Sequence, residues 1–513
     1  MADPVWSTEQ VITRIWDYAN YSAKLSLSQA IAIFRDNWRG IIKAELEKVF
    51  DSEESRTRLT PLITTEVNVC KSVIEKTSLV YKKPAMRWAQ SGERVNEEGE
   101  AEAIHIDRYK ELCEESRIDF VMQACNEYTR LVNHTLIRPV VRNGKMDLDL
   151  LLPDNFEIIT AENDFKDIIA IKYYIGVLPL AGGLSSGPKT DMRDAVMWVK
   201  RSLFVKTEKT SRMLEPGIYH IKSKTEVTAW EFEENPYFKT KQVERDGKMV
   251  AEKEYILPFV LTSKNHPIDR LLNYSDGSSI AESAVMFAVL LTQANELMKY
   301  QAYLLLVMSG PGDIEIPAGL KVGPGNILKA PNGASINAVD VQARINDFVK
   351  AIHDRMAIFF AQQGIPPSAF TLTGQPQSGY SLKIDRSTLT DIRDKEVPVY
   401  RYVERELFDM VVMVNNKAFE GMSDNLIPEN AEFHIDFAEY GFDPSPDEQL
   451  RKDTWGLANF TTTPVDIMLR ENPDMSVEDA TRKYLENKAL MGQRAQAPLV
   501  QPGQVNGNPT KTP

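Results

Sequence analysis

Cysteine is scarce. The 513 residues hold three, Cys70, Cys113 and Cys125. That is too few for a disulfide framework, and the three are too scattered for a zinc site. They read as buried small hydrophobes of a reducing compartment. Long apolar runs are missing as well. The densest, Ala284–Leu291 and Tyr303–Met308, fall far short of the ~20 residues that span a bilayer. Met1–Gln10 carries Asp3 and Glu9 in place of a basic leader, so no secretory signal is read there. A soluble protein of a cytoplasm is expected. A basic excess is absent: 60 Lys+Arg face 73 Asp+Glu, a net charge of −13. This argues against tight non-specific binding of duplex DNA by the monomer, though not against a body past which DNA slides. With 43% apolar and 26% charged residues, sustained disorder is excluded too.

Chemistry-bearing motifs are equally sparse. No Gly-x-x-x-x-Gly-Lys-Ser/Thr string occurs, so no P-loop is present, and no Gly-x-Gly-x-x-Gly follows a strand. The six histidines, His105, His134, His220, His266, His353 and His434, never pair at metal-ligand spacing. Gly183-Leu184-Ser185-Ser186-Gly187 matches the nucleophile-elbow string. That motif needs a strand handing over directly to a helix, and Ala181–Thr190 reads as a flexible loop with Pro188 next. A hydrolase using Ser185 is the enzyme alternative. The reading favours no enzyme, no cofactor and no metal.

Residues 1–60 read as helical, with Trp6, Ile12, Ile15, Trp16 and Ala19 on one stripe. A second helix is expected over Thr60–Tyr81, with the stripe Ile63, Val67, Cys70, Ile74 and Thr77, stopped by Pro84. Met86–Trp88 starts a strand, Glu93–Glu102 reads as a solvated loop, and a third helix covers Asp107–Val132. Asn143-Gly144 between the apolar runs Thr135–Arg142 and Met146–Leu152 is a hairpin signal. Ile168–Ile175, Ala195–Val205, Gly217–Ile221 and Thr225–Phe232 alternate in period two, so residues 155–260 read as β-rich.

After Pro258 the character changes. Ser278–Met308 reads as an apolar helix. Residues 309–338 hold six Gly and four Pro, with short β-type pieces at Asp313–Ile316 and Asn326–Lys329. Their prolines remove the amide donors that a phosphate nest needs. A helix over Asp340–Gln363 follows, striped by Val341, Ile345, Phe348, Val349, Ile352, Met356, Phe359 and Phe360. Gly364 and Pro366 end it. Residues 364–377 form an uncharged loop. One helix bent at Pro398 is expected over Ser378–Asn415, then a strand at Glu432–Glu439. Residues 429–493 hold 14 Asp+Glu against 6 Lys+Arg and include a helix at Ser476–Leu490. Residues 494–513, rich in Gln, Pro, Asn and Gly, read as disordered.

Taken as roughly 24 residues each, the two helices around 309–338 would reach about 35 Å at ~1.5 Å per residue. The first is apolar on more than one face over Ala284–Val289. One partner helix would not cover that surface, so packing against neighbouring copies is expected.

Three stretches carry a resemblance: TEVNVCKSVIEKTSLVYKKP ending at Pro84, LLLPDNFEI at Leu150–Ile158, and GIPPSAFTLTGQPQSGYSLK at Gly364–Lys383. With the order helix, small module, helix, loop, bent helix, they resemble the portal proteins of tailed double-stranded DNA bacteriophages, their head–tail connectors. Ser381 stands where that pattern often has alanine. The resemblance covers most of residues 1–490. It implies an α+β, mainly α, portal-type fold. Residues 1–277 would be the wing, with a helical and a β-rich part. Residues 278–308 and 339–363 would be stem helices, 309–338 the clip and 364–377 the tunnel loop. Residues 378–440 would be the kinked wing helix and a strand, 441–493 a helical crown, and 494–513 a tail.

The same resemblance implies a ring, usually of twelve copies, at one capsid vertex of the virion. DNA would pass through it in packaging and ejection, while terminase and head–tail adaptors dock on it. Major capsid and scaffolding proteins are further implied partners, and no membrane is; the second alternative is another capsid-associated or adaptor protein, which would lack a central channel. The DNA-channel loop would comprise Gly364, Ile365, Pro366, Pro367, Ser368, Phe370, Thr371, Thr373, Gly374, Gln375 and Gln377. Lys299, Arg344 and Lys350 would lie in the channel or stem. Ile314, Ile316, Lys321 and Lys329 would make clip contacts. The acidic balance suits a conduit that repels phosphate.

Overall fold

The computed structural model describes residues 21–49, 52–95, 101–161, 163–175, 194–206, 210–222, 225–245, 248–265, 271–272, 278–302, 305–309, 335–339, 345–366, 379–437, 446–459, 461–472 and 475–495. The chain divides into two compact units, residues 1–440 and 441–513. The architecture is mixed α and β.

The first unit begins with α1 (Tyr21–Phe34), α2 (Arg39–Val49), α3 (Glu53–Leu59) and α4 (Val69–Thr77). The helix read over Thr60–Tyr81 is thus only nine residues long, because Asn68 caps it. Its side chain accepts from the Lys71 amide at 3.0 Å and donates to the Ile33 carbonyl at 2.6 Å. That ties α4 to α1 and satisfies an orphan N–H. Cys70, Ile74 and Thr77 of the expected stripe are buried, whereas Val67 precedes the helix and is exposed.

β1 (Met86–Val95) and β2 (Ala101–His105) follow as an antiparallel pair. The charged stretch read as a solvated loop over Glu93–Glu102 is therefore partly strand. The helix read over Asp107–Val132 is two, α5 (Asp107–Glu115) and α6 (Ile118–Val132). Arg117 breaks them with a left-handed backbone, φ 51°, a conformation that no helix interior holds. β3 (His134–Arg142) and β4 (Lys145–Leu151) form the Asn-Gly hairpin. Asn143 at φ 53° and Gly144 at φ 75° have the two positive values that a type I′ turn demands.

β5 (Phe156–Thr160), β6 (Ile168–Tyr174), β7 (Ala195–Val199), β8 (Leu203–Lys206), β9 (Ser211–Leu214), β10 (Gly217–Ile221) and β11 (Glu231–Glu233) come next. Five of them make one antiparallel sheet in the order β11-β10-β7-β6-β5, and β8 pairs with β9. β7 is the apolar run AVMWV, buried along its whole length because both faces of the sheet are covered there. The alternation read over Ala195–Val205 spans two strands, and Val227–Ala229 is a 3-10 turn rather than strand.

β12 (Phe238–Arg245) and β13 (Lys248–Tyr255) form a separate ribbon, and β14 (Val260–Ser263) joins β3 and β4. The unit ends with α7 (Ser278–Ala302), β15 (Leu305–Ser309), β16 (Ser335–Val339), α8 (Ile345–Gln362), α9 (Gly379–Ala418) and β17 (Glu432–Asp436). β17 pairs with β1 and completes the sheet β17-β1-β2.

The second unit holds α10 (Pro446–Ala458), α11 (Pro464–Glu471) and α12 (Val477–Ala495). Thr463 and Asp466 make a reciprocal capping box at α11. Ser476 caps α12 by accepting from the Asp479 amide at 3.1 Å. The last helix reaches Ala495, past the boundary placed at residue 493, and the tail beyond it lies outside the described residues.

The thiols give a direct check on packing. Cys70 and Cys125 are buried and Cys113 is half-buried. Burial pushes Cys70 up to about 12 and Cys113 up to about 11, and raises Cys125. At pH 8 a thiol titrating near 11 is ionised in about one molecule per thousand. Ellman's reagent at pH 8 is expected to find almost no reactive thiol in the folded protein and three per chain in guanidinium. One thiol reacting quickly under native conditions would contradict this packing.

Candidate functional site

The chain doubles back between α7 and α8. β15 pairs antiparallel with β16, Leu305 opposite Val339 and Ser309 opposite Ser335. About four turns back from the end of α7, Phe287 meets Phe359 of α8 with ring centroids 5.8 Å apart. The strand and helix contacts share one near-constant register, so the chain runs out from Phe287 to Ser309 and returns from Ser335 to Phe359. Ser309 and Ser335 stand side by side at the far end of this hairpin. The helix read through Met308 stops at Ala302, because Leu305-Leu306-Val307-Met308 takes the strand instead. β-branched and apolar residues suit a strand as well as a helix, and pairing with Ser335–Val339 decides between them. Ser335–Val339 in turn falls across the boundary drawn at residue 338.

The apolar excess of Ala284–Val289 does not await a second copy. Ala284, Val285, Phe287, Ala288 and Val289 are buried within this chain, and only Met286 of that run is exposed. They share one core with Ile31 and Phe34 of α1, Ile42 of α2, Val73 and Ile74 of α4 and Leu131 of α6. Four helices of the same unit thus surround α7, where sequence reading had only α8 to offer. A polar seam fixes the level: the Thr64 amide donates to Thr292 Oγ1 at 3.2 Å and Asn295 Nδ2 to Thr64 Oγ1 at 2.7 Å. Nearer the strands, Leu297 and Met298 of α7 and Val349 of α8 remain exposed.

α8 ends at Gly364. Its φ of 76° turns the chain out of the helix, with no Cβ to resist. Ile365 follows immediately and is buried in the same core. The segment that leaves after Pro366 therefore starts from a fixed point.

α9 is a single helix of 40 residues with Pro398 inside it. Its buried side carries ions on both sides of the proline. Arg130 of α6 pairs with Glu396, and Asn126 Nδ2 donates to the same carboxylate at 3.4 Å. Two turns further on, Glu404 is fully buried. It accepts from Arg87 Nε at 2.9 Å, Arg87 Nη2 at 2.7 Å and the Tyr81 hydroxyl at 2.8 Å. Asp119 Oδ1 accepts from Arg87 Nη1 at 2.5 Å. Burial draws the Arg87 guanidinium down, but its hydrogen bonds to Glu404 and Asp119 outweigh this and hold it above the ordinary range. Tyr81 is raised well above the usual phenol by burial and by the Glu404 charge. These groups bind α9 to β1 and α6, and sequence reading missed them. Arg87 and Glu404 are 317 positions apart in the chain, so no local pattern marks them as partners.

Of the residues implied by the resemblance, Gly364, Ile365 and Pro366 stand at the turn after α8. Lys350 is exposed on α8, and Lys299 lies in the last turns of α7. Pro367, Ser368, Phe370, Thr371, Thr373, Gly374, Gln375, Gln377, Arg344, Ile314, Ile316, Lys321 and Lys329 lie outside the described residues, as does Ser185. Among the described residues no group of three His, Cys, Asp or Glu side chains converges as a metal site, and no helix is long and apolar enough to cross a membrane.

No protein-family model matches this chain. No curated protein matches it either. Among solved structures it is similar to a chain in the virion of a native gene transfer agent particle. That chain is 10% identical, the match covers 80% of this chain and 92% of that one, and the TM-score is 0.38. It is also similar to a chain in the neck of an empty gene transfer agent particle, at 12% identity, 78% and 88% coverage and a TM-score of 0.38. At that score neither fold nor function follows from the likeness.

Proposed function

We propose that this chain is a structural component of a tailed-phage-like particle, and specifically the portal subunit of its head–tail connector. One observation carries the reading. A helix and strand run out, a Gly- and Pro-rich segment begins and ends at their tip, and a strand and helix return. A fixed turn at Gly364 then leads through an uncharged stretch into a 40-residue helix. This order supplies what a conduit needs: long walls, a docking tip and a loop that can meet DNA without gripping phosphates. Twelve copies around a channel, terminase and adaptors at the tip, and a place at one capsid vertex complete the proposal. The chain itself catalyses nothing in this reading, so Ser185→Ala leaves packaging and infectivity unchanged.

The test is mass and shape. Light scattering should report a particle many times the 58.1 kDa chain, and negative-stain images should show a central hole. A protein that stays monomeric at every concentration and with its partners present would overturn the reading. Deleting Ser368–Gln375 is expected to leave assembly intact and to lower the nuclease-protected genome per particle. Particles with the deletion and a full genome would place that stretch away from the DNA path.

A further inference from the structure

Two open strand edges of the first unit complement each other. One is β17, the end strand of the sheet β17-β1-β2, which pairs with β1 alone among the described residues. Its outward backbone groups can be placed. The Ile106 amide donates to the Ala89 carbonyl at 2.9 Å, so Ala89 turns its peptide groups toward β2. Ala89 stands opposite Phe433. The peptide groups of an antiparallel strand alternate sides, so these two residues exchange no hydrogen bond. The amide and carbonyl of Phe433, and those of Ile435 two positions on, therefore face away from β1. Glu432 and Asp436 lie on either side of them, both exposed, on one face of the strand with His434.

The other is the outer edge of β12. The ribbon β12–β13 joins no larger sheet among the described residues. Its base is fixed: Asn235 Nδ2 donates to the Ile256 carbonyl at 3.0 Å, and Tyr237 packs in the core that also holds Phe433 and Ile435. Further out, Lys241, Gln242 and Glu252 are exposed, and two strands alone are marginally stable in water. Arg245 stands opposite Lys248 across a two-residue turn, so the Arg245 carbonyl closes the turn and its peptide groups face β13. By alternation, Glu244 and Gln242 present theirs on the outer edge. The Arg245–Lys248 pair also sets like charges opposite each other, a cost that a neighbouring carboxylate would relieve.

The two edges match in hydrogen bonding and in charge. With β12 antiparallel to β17, Gln242 meets Ile435 and Glu244 meets Phe433, outward groups against outward groups. The same register sets Lys241 opposite Asp436 and Arg245 opposite Glu432, each pair on one face. Directly opposed residues of opposite charge stabilise a strand pair. Shifting the register by two residues keeps the hydrogen bonds but leaves at most one opposite-charge pair. Two copies of β12 paired about a two-fold axis would instead oppose basic residues. Within one chain β17 keeps this edge open, so the strand that fits it comes from another copy.

We infer that β12 of one copy adds to the open edge of β17 in the next, antiparallel and with Lys241 opposite Asp436. This rests on the assembly of copies proposed above and names a contact within it. Two different edges meet, so the contact is head-to-tail, and it closes into a ring when the rotation closes.

The full-length chain carrying Lys241→Cys with Asp436→Cys tests it. Both positions are exposed. They form a pair without mutual hydrogen bonds, whose Cα atoms stand about 4.5 Å apart, within reach of a disulfide. The native thiols are buried or half-buried. Mild oxidation should convert most of the monomer band on a non-reducing denaturing gel into a ladder of covalent oligomers, and each single variant should show none. A ring-sized particle that gives no ladder would overturn this contact and leave the ring reading standing. A monomer in solution that gives no ladder would overturn both. A monomer band that only migrates faster after oxidation would show the ribbon bonded to its own β17, against the inference. Covalent dimers from Lys241→Cys alone would replace the head-to-tail contact by a two-fold one.

Discussion

Replacing Glu404 with alanine is expected to destabilise the first unit by roughly 3–5 kcal/mol, the usual cost of removing one partner from a buried ion pair. The carboxylate is fully buried, and the Arg87 side chain that it binds is 3% exposed. After Glu404→Ala, two guanidinium nitrogens and the Tyr81 hydroxyl lose their acceptor in a space that water cannot easily reach. Asp119 remains, but it is half exposed and meets only Nη1. The double variant Arg87→Met with Glu404→Leu should recover most of the loss, because it removes both charges and refills the volume. Urea unfolding of the three proteins measures this directly. A loss below about 1 kcal/mol for Glu404→Ala would be the value of an exposed pair and would contradict the burial described.

Gly364→Val should be the most damaging change at the turn after α8. Two effects compete for the explanation. An added Cβ would stand 2.6 Å from Ile392 Cδ1 and 3.3 Å from Thr388 Cγ2 on α9. Both are ends of side chains, and Ile392 can swing aside. The backbone cannot: at φ 76° any residue but glycine is strained, by about 1–3 kcal/mol, with β-branched residues at the upper end. The strain therefore decides the outcome, and Gly364→Ala should cost less than Gly364→Val while sharing its sign. Chemical unfolding supplies the ranking. An alanine variant with an unchanged midpoint would show that the turn relaxes freely. On the proposed function, the valine variant should also package less DNA, since the stretch after Pro366 would leave the core in another direction.

The most legible parts of the sequence were those that local chemistry decides. Asn143-Gly144 marked a hairpin because few other residues accept two successive positive φ values. Gly364 marked a helix end, and Pro398 sits inside one helix because tertiary contacts on both sides of it outweigh its local cost. Elsewhere the pattern misled. The Asp107–Val132 stripe continues across Arg117, whose break follows from φ, which periodicity does not see. The ribbon β12–β13 escaped notice because Lys239, Lys241, Glu252 and Glu254 are exposed and it shows no apolar face. The Asp246-Gly247 pair between its two strands was the available signal. Most instructive is Ala284–Val289. Its apolar breadth was read as a surface between copies, yet helices from residues 21–132 cover it. Which surface covers an apolar face is a question of long-range packing, and the stripe alone is silent on it.

The pairing of Ser309 with Ser335 also bears on how such a chain can change over time. The two ends of the segment between them are held within about 5 Å of each other by the strand pair. Whatever lies between must only start and finish at those points. The entropic cost of closing a loop grows only slowly with its length, by about 0.6 kcal/mol for each doubling. The strand pair therefore acts as a socket. Sequence inserted, lost or exchanged there leaves the register of α7 on α8 untouched. On the proposed function, the tip can diverge to suit a new partner while the helices beneath it stay constrained by their core.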